Sequence, residues 1–141
     1  MKEHYKKLER MFSKSTVNKT LQAKIKINQG TSELNFSTNA SMHNETKSIH
    51  NAYLFMAVES AAFLAANSLV EDVLVLAKSF ETNYLKSTIN KKLNVNAKFI
   101  EKSMGNYVIL VELTENKNVI VRAKGVFRRS KNSLENIKNY S

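Results

Sequence analysis

Residues 50–68 of the sequence, HNAYLFMAVESAAFLAANS, decide the fold. With histidine neutral, Glu59 is the only charged side chain in this stretch, and Ala, Leu, Phe, Met and Val surround it. A helix that is this apolar on every side is normally buried. A carboxylate inside it is paired, neutralised or used, because an isolated buried charge is costly or shifts its pKa. We therefore predict a buried central helix that carries a functional acid.

The composition is that of one folded domain. With 141 residues, 43% of them hydrophobic and 24% charged, the chain is long enough to bury a core. The absence of cysteine excludes disulfides, thiolate metal sites and a cysteine nucleophile. The first ten residues lack the apolar core of a secretion signal, and the apolar run 52–66 is too short to cross a bilayer. We expect a cytoplasmic protein with no membrane span.

The net charge is +10, from 22 Lys and Arg against 12 Asp and Glu. This surplus favours an anionic partner such as nucleic acid, an acidic membrane surface, or a phosphate-bearing small molecule such as coenzyme A. The charges are scattered along the chain, so solubility explains much of the lysine equally well. The charge alone would fit a nucleic-acid-binding protein, but the sequence has no helix-turn-helix, zinc-finger or aromatic RNA-binding motif.

Periodicity predicts the elements on both sides of the central helix. Before it we expect a short amphipathic helix, a β-hairpin that turns at Gly30, and a polar loop, over residues 2–12, 21–38 and 37–49. After it the run VLVLA, residues 73–77, is continuous and apolar, as in a strand covered on both faces. Three alternating strands follow, over residues 93–99, 107–113 and 119–127. We expect the polar tail, residues 130–141, to fray or to form a weak helix.

These elements predict an α+β fold in one domain, residues 1–141, with its core over residues 18–129. A mostly antiparallel sheet that bends around the central helix satisfies both the alternation in the strands and the burial of the helix. The last four strands would form a meander. The order of elements alone leaves other α+β folds open.

The entry to the central helix carries a spaced motif. Asn44 stands six residues before His50, and Glu59 stands nine residues after it. This pattern resembles the active-site signature of hotdog-fold acyl-CoA thioesterases, closest to the phenylacetate-pathway type and to related uncharacterised groups. Segments similar to that family extend over the core of the chain. The resemblance implies a single hotdog fold, in which a curved antiparallel sheet wraps around a hydrophobic helix.

The resemblance also implies roles for these residues. Glu59 would act as nucleophile or general base, and the backbone N–H of Asn51 would stabilise the carbonyl oxygen that becomes negative in the transition state. A helix N-terminus suits that task, because its first N–H groups lack intrahelical partners and carry partial positive charge. Asn44 and His50 would orient substrate, loop or water. In related enzymes the acid and the donor come from different subunits, which implies a homodimer or a dimer of dimers.

Structural explanations stand beside these roles. Glu59 also fits a structural acid, His50 a capping or packing residue, and Asn44 a residue that holds its own loop by side-chain to backbone hydrogen bonds. His4 and His43 have no evident partners, and we expect them at the surface. With no cysteine and no HxxxH pair, we expect no metal site.

Asn51 and Ala52 depart from the family pattern, which commonly has Gly after the His. Their side chains stand where a thioester would approach the backbone, so a narrower acyl slot or a loss of catalysis would follow. The second hypothesis is therefore a protein that binds acyl-CoA without turnover, as a sensor or regulator. Some family members also place a Ser or Thr on the strand after the helix, near the carboxylate of the facing subunit. Here that position, eighteen residues after Glu59, is Ala77, and the candidates nearby are Ser79 and Thr82.

The expected substrate is an acyl-CoA, and we expect no further cofactor. The phosphates of coenzyme A suit a basic cluster on the last strand, which consists of Arg122, Lys124, Arg128 and Arg129. A solvated strand edge, protected from aggregation by charge, explains each of these residues equally well. The acyl chain would lie in a cleft beside the central helix, near Tyr53, Phe55, Met56 or Phe63.

Overall fold

The computed structural model describes residues 2–141, which form two α-helices and six β-strands. The helices are α1, Lys2–Lys14, and α2, Asn51–Asn67. The strands are β1, Lys24–Asn28; β2, Thr31–Ser37; β3, Val73–Tyr84; β4, Lys92–Ser103; β5, Asn106–Glu115; and β6, Asn118–Ser133. Short 3₁₀ turns lie at Thr16–Thr20, Ala40–Met42 and Leu134–Asn136.

All six strands form one antiparallel sheet in the order β1-β2-β4-β5-β6-β3, and α2 packs against its inner face. The predicted α+β class, the hairpin of β1 and β2, and the central helix are confirmed. Gly30 adopts a φ of +75° in the hairpin turn, a conformation that favours glycine. The core between α2 and the sheet is continuous, as the alternation of the strands requires.

Small residues let α2 approach the sheet closely. Ala57, Ala61 and Ala65 recur at four-residue spacing on one face of the helix, and all three are fully buried. Two serines tie this face to the hairpin. The Ser32 hydroxyl donates to the Ala61 carbonyl over 2.5 Å, and the Ser68 hydroxyl accepts from the Gly30 N–H over 2.8 Å. The position of α2 is therefore fixed by packing and by polar contacts at its C-terminal half.

Asn67 joins the end of α2 to the start of β3. Its side chain is fully buried, with Nδ2 donating to the carbonyls of Phe63 and Val75 over 2.9 and 3.0 Å. Its Oδ1 accepts from the Val75 N–H over 2.8 Å. One amide side chain thus satisfies three buried backbone groups at the turn between helix and strand.

Asn67→Asp is expected to destabilise the fold by about 3–5 kcal/mol, because a carboxylate would face two carbonyl oxygens in a buried site. Urea denaturation at neutral pH measures this change. Asn28→Asp is the matched control, since Asn28 is exposed at the end of β1, and its unfolding midpoint should barely move. Equal midpoints for the two variants would contradict the structural role of Asn67.

The prediction for β3 is wrong in two respects. It is an edge strand beside β6 instead of one covered on both faces, and Leu76 is 38% exposed. It also does not pair with β4, so only β4, β5 and β6 form a meander. The apolar run 73–77 marks a strand, but hydrophobicity alone does not specify what covers it or which strand it pairs with.

The termini are more ordered than the sequence indicates. His4, predicted at the surface, is buried: its Nε2 donates to the Asn67 carbonyl over 2.7 Å, and its Nδ1 accepts from the Tyr140 hydroxyl over 2.6 Å. The segment predicted to fray or to form a weak helix, residues 130–141, continues β6 to Ser133 and then forms a 3₁₀ turn at Leu134–Asn136, in which Leu134 is buried. The error arises because these contacts join residues that are far apart in sequence.

Candidate active site

One face of α2 stays uncovered, although the sequence predicts burial on all sides. We call it the open stripe; it consists of Asn51, Phe55, Glu59 and Phe63, spaced by four residues. The sheet of one chain covers only one side of the helix, so these side chains are exposed or half-buried. Phe55 is 38% exposed. Apolar side chains that a helix leaves uncovered, here Phe55 and Phe63, are characteristic of a surface that binds a ligand or another subunit.

Glu59 lies in the middle of the open stripe. It is half-buried, and within residues 2–141 its carboxylate makes neither a hydrogen bond nor an ion pair. Burial raises the pKa of Glu59 above the ordinary value of a glutamate. The carboxylate is therefore a poorly solvated base with no structural partner among residues 2–141.

The N-terminus of α2 presents a free amide. His50 caps the helix: its Nδ1 accepts from the Ala52 N–H over 2.9 Å, so a neutral ring carries its proton on Nε2. The neighbouring Asn51 N–H has no acceptor in the part of the chain that the structure describes. Both Asn51 and Ala52 are exposed. The His50 side chain thus binds the Ala52 N–H and leaves the Asn51 N–H available to a ligand.

Asn44 holds the loop that leads into α2. Its Oδ1 accepts from the Thr46 N–H, the Thr46 hydroxyl and the Ser48 N–H, over 2.9, 2.8 and 3.2 Å. The loop is also anchored by the Ile49 N–H, which donates to the Thr88 carbonyl over 2.8 Å. These contacts match the structural explanation for Asn44, and they fix the backbone that delivers His50 to the helix.

The free amide and the carboxylate are too far apart to act together within one chain. Asn51 and Glu59 are eight residues apart on a straight helix, which separates them by about 12 Å along the axis. A reacting carbonyl lies about 3 Å from its hydrogen-bond donor, and about 3 Å from the attacking carboxylate or from the water that a base activates. One chain therefore holds two halves of a site rather than a complete one.

A β-bulge sets which side chains of β3 face α2. The register with β6 shifts between Ala77 and Ser79, after which Phe80 and Thr82 lie opposite Gly125 and Ala123 on the helix side. Ser79 instead lies opposite Val126 and is exposed on the other face. The Thr82 Oγ1 is buried and has no hydrogen-bond partner among residues 2–141. Of the two candidates, Thr82 alone is on the side of the site.

Phe80 and Gly125 were not identified from the sequence. The ring of Phe80 packs edge-on against Phe55 with centroids 5.5 Å apart, and against Phe127 at 6.3 Å. A Cβ at Gly125 would lie 2.6 Å from the Phe80 ring and 2.8 Å from that of Phe127. Gly125 therefore makes the space in which Phe80 supports the open stripe. The alternation through β6 placed residue 125 on the inner face, but only the register shows what it meets.

Gly125→Ala is expected to displace Phe80 and destabilise the fold by about 1–3 kcal/mol through overpacking. In a Phe80→Ala background the same change should cost less, because the ring that obstructs the methyl group is gone. Denaturation of the wild type, both single variants and the double variant measures the coupling. Additive effects would contradict the proposed contact.

The predicted basic cluster is not beside Glu59. Arg122, Lys124 and Arg128 alternate with inward-facing residues of β6, so they lie on the sheet face away from α2. Arg122 pairs with Glu112 over 3.0 Å and Arg129 pairs with Asp72 over 2.5 Å. The structure places Arg122, Lys124 and Arg128 on the face away from the open stripe, and it pairs Arg122 and Arg129 with acidic side chains.

Two further predicted residues, Tyr53 and Met56, lie beside the open stripe. They are half-buried and pack against the core.

Two cavities differ in their relation to the site. A cavity of about 690 Å³ lies on the opposite face of the sheet, between Lys24, Asn35 and Asn94, and contains none of the predicted catalytic residues. A second one, of about 560 Å³, is lined in part by Phe63. Only the second touches the open stripe.

Solved structures share this fold. PaaI from the phenylacetic acid degradation operon of Escherichia coli matches with a TM-score of 0.84 and 18% identity, over 94% of this chain and 96% of that chain. A thioesterase family protein from Silicibacter pomeroyi matches at 0.80 and 19%, over 90% and 99%. A mutant of a thioesterase enzyme from Staphylococcus aureus matches at 0.75 and 14%, over 81% and 98%. The chain therefore has the hotdog fold that the sequence predicts.

No family model matches the sequence, and no curated protein matches it significantly. Within residues 2–141, no helix is long and apolar enough to cross a membrane.

Proposed function

We propose that this protein hydrolyses acyl-CoA thioesters to a free acid and coenzyme A. The observation that carries the proposal is the environment of Glu59: its half-buried carboxylate has no partner within the described residues 2–141 and lies on the uncovered face of the central helix. The free amide of Asn51 on the same face is the second element. Proteins named as thioesterases share the fold, which supports this class of reaction.

The two groups suit the two requirements of thioester hydrolysis. Glu59 either takes a proton from the attacking water or attacks the thioester carbonyl itself, in which case water then hydrolyses the acyl-enzyme anhydride. The Asn51 N–H donates to the carbonyl oxygen as it becomes negative, at the positive end of the helix dipole. The C–S bond breaks, and the thiolate of coenzyme A takes up a proton as it leaves.

The active form would be a homodimer. Because Asn51 and Glu59 of one chain cannot reach one carbonyl, we propose that Glu59 of one subunit faces the Asn51 amide of the other. The outer edge of β3 has no strand beside it among residues 2–141 and lies next to the open stripe through Phe80. Pairing of two such edges would extend the sheet and bring two open stripes together. A dimer of dimers is compatible with this arrangement.

The other predicted residues take supporting roles. Asn44 and His50 would position the loop and the amide; Thr82, with its unpartnered hydroxyl, would orient substrate or water. Tyr53 and Met56 would border the acyl group. Coenzyme A would bind the basic surface through its phosphates, at Arg122, Lys124, Arg128 or Arg129. The arrangement of the two subunits would decide which of these cations the phosphates reach. Ser79 faces away from α2 and is the weakest of the candidates.

Binding of acyl-CoA without turnover is the second candidate function. The exposed side chains of Asn51 and Ala52 favour it, since they stand where the thioester must approach the free amide. The two functions make opposite predictions for free thiol release.

Release of free thiol from a panel of short, medium, long and aryl acyl-CoAs decides between them. The hydrolase proposal expects turnover by the wild type and its loss in Glu59→Ala. Saturable binding of acyl-CoA with no thiol release from any substrate would instead support the binding protein. A strictly monomeric state in solution would count against both.

A further inference from the structure

A groove lies beside the C-terminal half of α2. Its volume is about 560 Å³, within the range of roughly 300–1,000 Å³ that is typical of small-molecule sites. It is formed where α1, the following 3₁₀ turn, the start of β3 and the C-terminal segment meet α2. Its apolar walls are Met11, Phe12, Val17, Phe63, Leu74 and Ile137.

We infer that this groove binds the acyl chain of the substrate, and that the protein prefers acyl chains long enough to fill it; this inference rests on the proposed hydrolase function. The groove begins at the open stripe. Phe63 follows Glu59 by one turn on the same face of α2 and forms part of the groove wall. A thioester carbonyl held at Glu59 could thus extend its chain along the helix and into the groove.

The distance along α2 from Glu59 to Phe63 sets the length of acyl chain that can reach the groove. One helical turn rises about 5.4 Å, which takes roughly five carbons of an extended chain. Acetyl and propionyl groups would end before Phe63 and gain nothing from the groove. A medium-length chain would continue past Phe63 and cover Val17, which is 61% exposed in the 3₁₀ turn after α1.

The lining of the groove suits an aliphatic chain and, among residues 2–141, offers no acidic side chain to a cationic ligand. The polar groups nearest its walls are the side chains of Lys14 and Lys138 and the short side chains of Ser15, Thr16, Asn18 and Asn139. Neither an acidic side chain nor a histidine lines it. An acyl chain would need no hydrogen bond here, and it would remove exposed apolar surface from water.

Fluorescence quenching tests the inference directly, because the chain contains no tryptophan. Val17→Trp would introduce a single indole in the groove wall, and Glu59→Gln in the same chain would prevent consumption of the probe. The probe is ω-bromooctanoyl-CoA, whose bromine quenches a nearby indole. Leu110→Trp with Glu59→Gln is the matched control, since Leu110 is 40% exposed on the sheet face away from α2.

We expect saturable quenching of the Val17→Trp emission by at least half, and little change in the Leu110→Trp control. Equal responses of the two indoles, or no binding of the probe by either protein, would overturn the inference. In the Glu59-containing protein, Val17→Asp would place a charge in the groove wall and should lower kcat/KM for octanoyl-CoA relative to propionyl-CoA by about tenfold. If the wild type releases thiol but quenching matches the control, acyl-chain binding in the groove is contradicted and the hydrolase proposal is retained. If quenching is selective but no thiol is released, the hydrolase proposal is contradicted and acyl-chain binding in the groove is retained.

Discussion

Glu59→Gln is expected to lower kcat for acyl-CoA hydrolysis by about a thousandfold, the effect of losing a positioned base or nucleophile. Glutamine preserves the size of the side chain, but it can neither take a proton from water nor attack a carbonyl. In the wild type, burial raises the pKa of Glu59. Since the ionised form is the active one, kcat/KM should rise with pH through that raised pKa and then level off.

The same variant should be at least as stable as the wild type. Because the pKa of Glu59 is higher in the folded protein than in the unfolded chain, the folded state binds more protons between the two pKa values. Stability of the wild type therefore falls as pH rises through this interval. Glutamine does not ionise, so Glu59→Gln does not lose stability in this way. At about pH 7 its Tm should be higher than that of the wild type, by about 2–4 °C for each kcal/mol of stability that the wild type loses through ionisation of Glu59. Below the unfolded pKa of about 4.3 the difference should vanish.

Thermal melts at matched protein concentration, together with thiol release, test both halves of this prediction. Glu101→Gln serves as the control, since Glu101 is exposed on β4; it should retain wild-type kcat. A Glu59→Gln protein that keeps full activity would contradict the catalytic role. One that loses both activity and stability would point to a structural acid.

Asn51→Pro is expected to lower kcat by about a hundredfold or more, the cost of removing one oxyanion donor. Proline lacks the N–H but is favoured at the first position of a helix. His50 already has a φ of −62° and a ψ of 137°, which suits a residue that precedes proline. No hydrogen bond within residues 2–141 is lost, because the Asn51 N–H has no acceptor there. The fold should therefore remain intact while the donor disappears.

Asn51→Gly separates the backbone from the side chain. It keeps the N–H and removes the group that stands over it, so activity should be retained or increased if the side chain narrows the acyl slot. Thiol release and far-ultraviolet circular dichroism check the two variants together. A folded Asn51→Pro protein with wild-type kcat would show that another group stabilises the oxyanion.

Sequence periodicity predicts the helix and the strands that carry the site. The order in which the strands pair depends on tertiary contacts. The apolar run around Glu59 and the patterns of the strands depend on local sequence, so α2, the hairpin and the four later strands could be predicted as elements. The place of β3 at the sheet edge could not, because it depends on contacts between distant residues. The bulge that turns Thr82 inward and Ser79 outward is equally invisible in the sequence.

The sequence predicts the reactive groups of the candidate site, Glu59 and the Asn51 N–H, but not the residues that surround them. The spacing of His50 and Glu59 predicts the residues of the site, and a helix start implies a free amide at Asn51. Sequence did not reveal that one face of α2 is open, nor that Phe80 supports it. It also grouped Arg122 with the site, although β6 directs that side chain to the other face.

Mixed dimers test the central proposal most directly, namely that each site combines Glu59 of one subunit with the Asn51 amide of the other. Glu59→Gln and Asn51→Pro chains, carrying different affinity tags, would be coexpressed and the heterodimer purified through both tags. One of its two sites would then be intact, so its kcat should recover to about half that of the wild-type dimer. A heterodimer no more active than either parent variant would contradict a site shared between subunits.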